Sequence, residues 1–93
     1  MSYTSIDPIT TAWAARHGLH VQTRYRDDEV RSVDVVGHSG RRCQIWIDPP
    51  DQAGKVGVHI WDFKSKKLDK LVCQDDLSAC LDDVYTTALG WVT

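Results

Sequence analysis

Two stretches of this sequence alternate apolar and polar residues with the period of a β-strand, and each has a tryptophan among its polar residues. The first runs from Arg42 to Asp48 and contains Trp46, and the second runs from Lys55 to Phe63 and contains Trp61. The apolar residues that alternate with the tryptophans are Cys43, Ile45 and Ile47, then Val56, Val58 and Ile60. Since consecutive side chains of a strand point to opposite faces of the sheet, both tryptophans are predicted to point away from the core.

Two further strands are predicted before these stretches. After Gly18, apolar and polar residues alternate through residues 19–26, and the acidic cluster Asp27-Asp28-Glu29 is typical of a hairpin loop. The second strand carries Val33 and Val35 on one face, and it ends at the turn Gly37-His38-Ser39-Gly40.

The segment after Lys64 is ambiguous. The turn at residues 49–54, which contains two prolines, precedes a strand that is expected to reach about Lys64. A fifth strand over residues 64–73 is favoured, joined to the fourth by a two-residue turn at Ser65 and Lys66. That turn would pair Asp62 with Asp69, Ile60 with Leu71, Val58 with Cys73, Phe63 with Leu68 and Trp61 with Lys70. A helix that buries Leu68, Leu71 and Val72 is the alternative.

A helix is predicted at each end of the sequence. Asp7 is expected to cap the first, with Pro8 at its first position and Gly18 ending it in a left-handed conformation. Its apolar stripe would contain Ile9, Ala12, Trp13 and Arg16. Asp75 is expected to cap the last helix. That helix has apolar residues three and four positions apart, namely Leu77, Cys80, Leu81, Val84, Tyr85, Ala88 and Leu89.

The order α-β-β-β-β-β-α predicts an α+β two-layer sandwich, in which an antiparallel meander sheet has both helices on one face. The helices are expected to cover Val21, Val33, Val35, Cys43, Ile45, Ile47, Val56, Val58, Ile60 and Leu71. The opposite face would present Gln22, Arg24, Asp34, Arg42, Gln44, Trp46, His59, Trp61, Phe63, Leu68, Lys70 and Val72. If Asp48 pairs with Lys55, Trp46 faces Gly57 and shields its backbone, a structural role for this indole.

Composition limits the classes of protein. The 93 residues are expected to form one domain, residues 1–93, and 42% hydrophobic with 26% charged residues is typical of a globular protein. A net charge of −2 and a pI near 6.0 argue against a dedicated polyanion binder. The stretch from Asp75 to Thr93 contains four aspartates and no basic residue.

The sequence also gives expectations about location. It has no apolar run of about 18 residues, and residues 1–5 lack the features of a signal peptide, so no membrane association and a cytoplasmic location are expected. The three cysteines, Cys43, Cys73 and Cys80, fall in apolar phases and are predicted to be reduced and buried.

No pattern in the sequence indicates an active site, a metal or a cofactor. His17 and His20 are close but lack further ligands at a zinc-binding spacing. The pairs Asp75-Asp76 and Asp82-Asp83 fall at a helix start and on a solvated helix flank. A catalytic role is therefore not predicted, and a small enzyme of unknown class is the least favoured interpretation.

The favoured interpretation is a non-catalytic protein-binding module that uses the aromatic face, either for another protein or for a second copy in a homodimer. Small inhibitors, immunity proteins of toxins and secretion chaperones share this size and acidity, which is an analogy of size and charge. Binding of single-stranded nucleic acid across the same face is the alternative. The candidate binding residues are Arg24, Arg42, Trp46, His59, Trp61, Phe63 and Lys70.

Overall fold

The computed structural model describes residues 2–93 and contains an antiparallel five-stranded sheet with a helix at each end of the chain. The elements are α1 (Asp7–Arg16), β1 (Gln22–Tyr25), β2 (Asp28–Val36), β3 (Arg42–Ile47), β4 (Lys55–Trp61), β5 (Lys67–Cys73) and α2 (Leu77–Val92). The strands follow one another in the order β1-β2-β3-β4-β5. The predicted α+β meander is confirmed, and residues 67–73 form a strand and not a helix.

Both helices lie on one face of this sheet, and the core lies between the two layers. The buried apolar side chains of the strands are those of Val33, Val35, Cys43, Ile45, Ile47, Val56, Val58 and Ile60. The helices contribute Trp13, Ala14, Leu77, Cys80, Leu81, Val84, Ala88 and Val92, and the N-terminal segment adds Tyr3 and Ile6. The strand faces predicted from the alternation around Trp46 and Trp61 are therefore confirmed.

Helix α1 differs from its prediction in its cap and its buried face. Asp7 lies inside the first turn, and its carboxylate pairs with the Arg31 guanidinium at 2.7 Å instead of capping the helix. The buried positions are Thr10, Trp13 and Ala14, and Ile9 packs partly buried against the core. The predicted stripe was therefore right at Ile9 and Trp13 and wrong at Ala12 and Arg16, which are exposed. Gly18 does end the helix as predicted: its φ is 65°, and the Leu19 N–H donates to the Ala14 carbonyl at 2.8 Å.

The β1–β2 hairpin is tighter than predicted. β1 begins at Gln22, and Tyr25 pairs with Asp28, which leaves Arg26 and Asp27 as the turn. Arg26 adopts a left-handed φ of 56°, the geometry that two-residue hairpin turns require. The register shifts between Gln22 and Arg24, so the alternation of β1 is interrupted before the turn.

The pairing of β4 with β5 corrects the predicted register. Trp61 pairs with Lys67, Ile60 with Leu68 and Val58 with Lys70. The offset of three residues is odd, and an odd slip moves every side chain of a strand to the other face. Leu68 and Val72 are therefore half-buried against the core and Lys70 is on the helix side, whereas Leu71 is 66% exposed and Cys73 is exposed.

Helix α2 has the predicted apolar stripe but a different start. Gln74–Asp76 form a 3-10 turn, and Asp76 instead of Asp75 precedes the helix, without a side-chain capping bond. The other end of α2 lies against the β2–β3 turn, where a Cβ on Gly37 would overlap the Val92 carbonyl group. Within residues 2–93, neither α-helix combines the length and apolar character that a membrane crossing needs.

Candidate functional site

The open face, which we define as the face of the sheet opposite the helices, is organised around His59 at its centre. His59 lies on β4, directly opposite Trp46 on β3 and Asp69 on β5. Its Nδ1 is 2.6 Å from Asp69 Oδ1, and its Nε2 is 2.7 Å from Asp48 Oδ2. The indole of Trp46 stacks on the imidazole with the ring centroids 4.7 Å apart and the planes 19° from parallel. These side chains link three strands, and we call Asp48, His59, Asp69 and Trp46 the histidine clamp.

The contacts of His59 favour its protonated form. A neutral imidazole has one N–H, so one of its nitrogens would direct a lone pair at a carboxylate. Burial is the largest influence on the pKa of His59 and lowers it, but the hydrogen bonds with Asp48 and Asp69 outweigh burial and hold this pKa above its usual value. The same bond lowers the pKa of Asp69. His59 is therefore best described as an imidazolium between two carboxylates.

Trp46 has a different neighbour from the one predicted. The Asp48 N–H donates to the Gly57 carbonyl, which puts Trp46 opposite His59 and not opposite Gly57. Gly57 instead leaves room for the clamp, because a Cβ at this position would overlap the Asp48 carboxylate and approach His59 Nε2 at 3.1 Å. Trp46 thus packs on a cationic ring, and it is half-buried.

A second aromatic pair lies beyond the clamp, where β4 ends. Trp61 is 39% exposed, and its ring centroid lies 4.8 Å from that of Phe63. The Arg42 guanidinium carbon lies 4.7 Å from the Phe63 centroid, within the range of a cation–π contact. Phe63 has a φ of 67°, which is rare for a bulky residue and costs of order 1 to 3 kcal/mol.

The turn that holds Phe63 in this conformation is organised by Asp62. Its carboxylate accepts the N–H groups of Lys64, Ser65 and Lys66 at 2.9, 3.0 and 2.9 Å. Burial, the largest influence, raises the pKa of Asp62, but these backbone bonds together lower it below the usual value. The turn therefore spans five residues, 62–66, instead of the two that were predicted, and it sets the β4–β5 register.

A groove of about 590 Å³ crosses the open face beside these aromatic residues. Its aromatic lining residues are Tyr3, Tyr25, Trp46, Trp61 and Phe63. Its polar lining residues are Gln22, Arg31, Ser32, Asp34, Arg42, Gln44 and Asp48, and Gln22 donates to Asp34 at 3.5 Å. Tyr25 was not predicted as a site residue because the strict alternation of β1 placed it on the core face. The bulge between Gln22 and Arg24 returns it to the open face.

Two of the seven candidate binding residues leave this face. Arg24 pairs with Glu29, which alternates along β2 with the core-facing Val33 and Val35, so the bulge turns Arg24 toward the helix side of an edge strand. Lys70 faces the helix layer and lies close enough to Cys80 to oppose the burial that raises the pKa of this thiol. Arg42, Trp46, His59, Trp61 and Phe63 are brought together, and their binding role stays a prediction.

The hydrogen bonds of His59 limit the chemistry that this side chain itself can perform. Both nitrogens of His59 are engaged, so the ring has no free lone pair with which to accept a proton from a substrate. Its two carboxylates bind opposite sides of the ring and do not converge on one point as metal ligands do. Comparison of the chain with models of known protein families, with curated proteins and with solved structures finds no match.

Proposed function

We propose that this chain is a non-catalytic protein-binding module that docks a partner protein in the groove of its open face. The observation that supports this most directly is the groove itself, because five aromatic side chains line it beside Arg42 and the helices pack on the other face. Tryptophan, tyrosine and arginine are the residues that most often dominate the energy of protein interfaces.

Two further features support docking. Within the histidine clamp, Trp46 stacks on His59, whose ring is hydrogen-bonded to Asp48. Phe63 is held in a left-handed conformation by the turn that Asp62 organises. Side chains that are already held in place lose little conformational entropy on binding, so a partner gains more net affinity from them. Backbone strain at a partly exposed aromatic residue such as Phe63 is also typical of functional positions.

Protein is favoured over single-stranded nucleic acid at this groove. Asp34, Asp48 and Asp69 lie on the same face and would repel a phosphate backbone. One face of the Trp46 indole is covered by His59 and is not free for a base. A partner protein needs neither a free ring face nor a uniformly basic surface.

The test combines Trp46→Ala with Trp61→Ala in tagged protein purified from its own cells, with and without nuclease. We expect the double variant to lose a nuclease-resistant protein partner while its unfolding free energy stays within about 1 kcal/mol of the parent, since groove residues contribute little to the core. Leu71→Ala is the control, because Leu71 is exposed on the same face outside the groove.

Two outcomes would contradict the proposal. Unfolding of the double variant would show that the indoles are structural. Unchanged capture by a folded double variant would place the binding site elsewhere. Light scattering on the purified protein identifies the case in which the partner is a second copy of the chain.

A further inference from the structure

The sequence separates its two kinds of basic residue, and the fold brings them together. All six arginines lie at or before Arg42, and all five lysines lie at or after Lys55. In an antiparallel meander, alternate strands run in the same direction, so the β2–β3 and β4–β5 turns lie at the same end of the sheet. This end carries five exposed cations, which we call the basic tip: Arg41, Arg42, Lys64, Lys66 and Lys67.

The cations of the basic tip form no close ion pairs. Among residues 2–93, none of the five has a carboxylate within ion-pairing distance, whereas Arg16 has one and Arg31 has two. Lys66 and Lys67 lie near Asp62 and Asp69 and help to lower the pKa of these carboxyl groups, but they do not contact them as ion pairs. Asp62 lies at the same end, but its carboxylate accepts three backbone N–H groups of its own turn. A cleft of about 590 Å³ runs between the two turns and is lined by Arg41, Arg42, Phe63, Lys64, Lys66 and Trp91, with Asp62 beside them.

We propose that the basic tip binds an acidic segment of a protein, whose aspartate or glutamate side chains pair with these cations. The basic tip is a different surface from the groove of the open face, and its proposed ligand does not depend on whether the groove binds a partner. A cluster of cations without ion-pair partners attracts and orients a negatively charged segment.

Carboxylates fit this surface better than nucleic acid does. Arg42 lies over Phe63, and the Lys66 Nζ lies 5.8 Å from the centroid of Trp91, so cations already occupy ring faces on which bases would stack. The basic area is also short. The five cations belong to two turns and the strand ends beside them, so a short acidic segment can pair with them without extending past the tip.

The experiment measures fluorescence anisotropy of a labelled pentaglutamate peptide with the full chain at low and at high salt. We expect binding that weakens with salt, and roughly a tenfold loss of affinity in the Lys64→Glu, Lys66→Glu double variant. The matched control is Lys55→Glu with Lys70→Glu, which changes the net charge equally away from the tip and should leave the affinity within about twofold.

Several results would overturn the proposal. These are the absence of salt-dependent binding, an equal loss of affinity in both double variants, and tighter binding of an oligothymidylate of equal charge than of the peptide. Salt-sensitive self-association that the tip variant abolishes would assign the tip to a second copy of the chain, by way of its acidic helix, and would also overturn it. If charge reversal disturbs folding, the Lys64→Gln, Lys66→Gln double variant replaces the glutamate variant in the same measurement.

Discussion

On one side of strands β3 and β4, Ile45, Val58 and Ile60 are fully buried under the helices. On the other side of the same strands, His59 and Trp46 are only partly covered. His59 is held by the carboxylates of Asp48 and Asp69, and Trp46 stacks on its ring. Burial of apolar area stabilises the first side, by about 25 cal/mol for each Å² removed from water. The second side is fixed by directed contacts between a few side chains. One sheet thus separates the residues that stabilise it, on the helix side, from polar and aromatic residues that remain accessible on the open face.

The largest expected effect is on the core side. We expect Ile60→Ala to lower the unfolding free energy by about 2 to 5 kcal/mol, because it leaves a cavity beneath the helices. Urea denaturation followed by circular dichroism measures the change. A loss below about 0.5 kcal/mol would show that this side does not carry the stability of the fold.

A smaller effect is expected from the histidine clamp. His59→Gln should cost about 1 kcal/mol, since both carboxylates of the clamp are about half exposed and solvent screens them. The pKa of His59 is raised above 6.5 in the folded state, so this contribution is complete below about pH 6.5 and declines as the pH rises through the folded-state pKa.

The pH dependence of this variant is measured as a difference. Urea midpoints of the parent and of His59→Gln, compared from about pH 6 to pH 9, should converge with increasing pH, and the other histidines cancel in the comparison. Curves that stay parallel over this range would mean that His59 is not an imidazolium between two carboxylates.

The smallest effect is expected on β5, where the register decides the outcome. Leu71→Ala should change the unfolding free energy by less than about 0.5 kcal/mol, because Leu71 is 66% exposed. Native thiol labelling gives an independent check: Cys73 should react quickly, and Cys43 and Cys80 should react only on unfolding. Burial raises the pKa of both protected thiols, which reinforces this difference. If Leu71→Ala lowered the unfolding free energy as much as a core substitution does, Leu71 would be buried, as in the β4–β5 register that was predicted from the sequence.

The strand faces around the two tryptophans were predictable because alternation is a local property of a strand. Ile45 and Ile60 are buried and Trp46 and Trp61 are not, as the period of two requires. The stripe of α2 was predictable for the same reason, since Leu81 and Val84 repeat with the helical period. In each case the information lies within one segment.

The errors arose where one segment meets another. The five-residue turn at Asp62 shifted β5 by three positions, which exposed Leu71 and moved Lys70 to the helix side. The bulge in β1 likewise turned Arg24 away from the open face and placed Tyr25 on it. An aspartate that bonds the backbone of the next residues is a recognisable turn signal, and it could have indicated the longer turn.

The sequence alone determined the α+β meander and the side of the sheet on which the helices lie, because apolar periodicity records what each element must bury. The placement of Asp48 and Asp69 beside His59, and of Arg42 and Lys66 at one tip, depends instead on how the strands and turns pack together. These groups come from different strands and turns. Their meeting depends on turn length and register, which are fixed by the packing of the whole sheet and not by the period of any one strand.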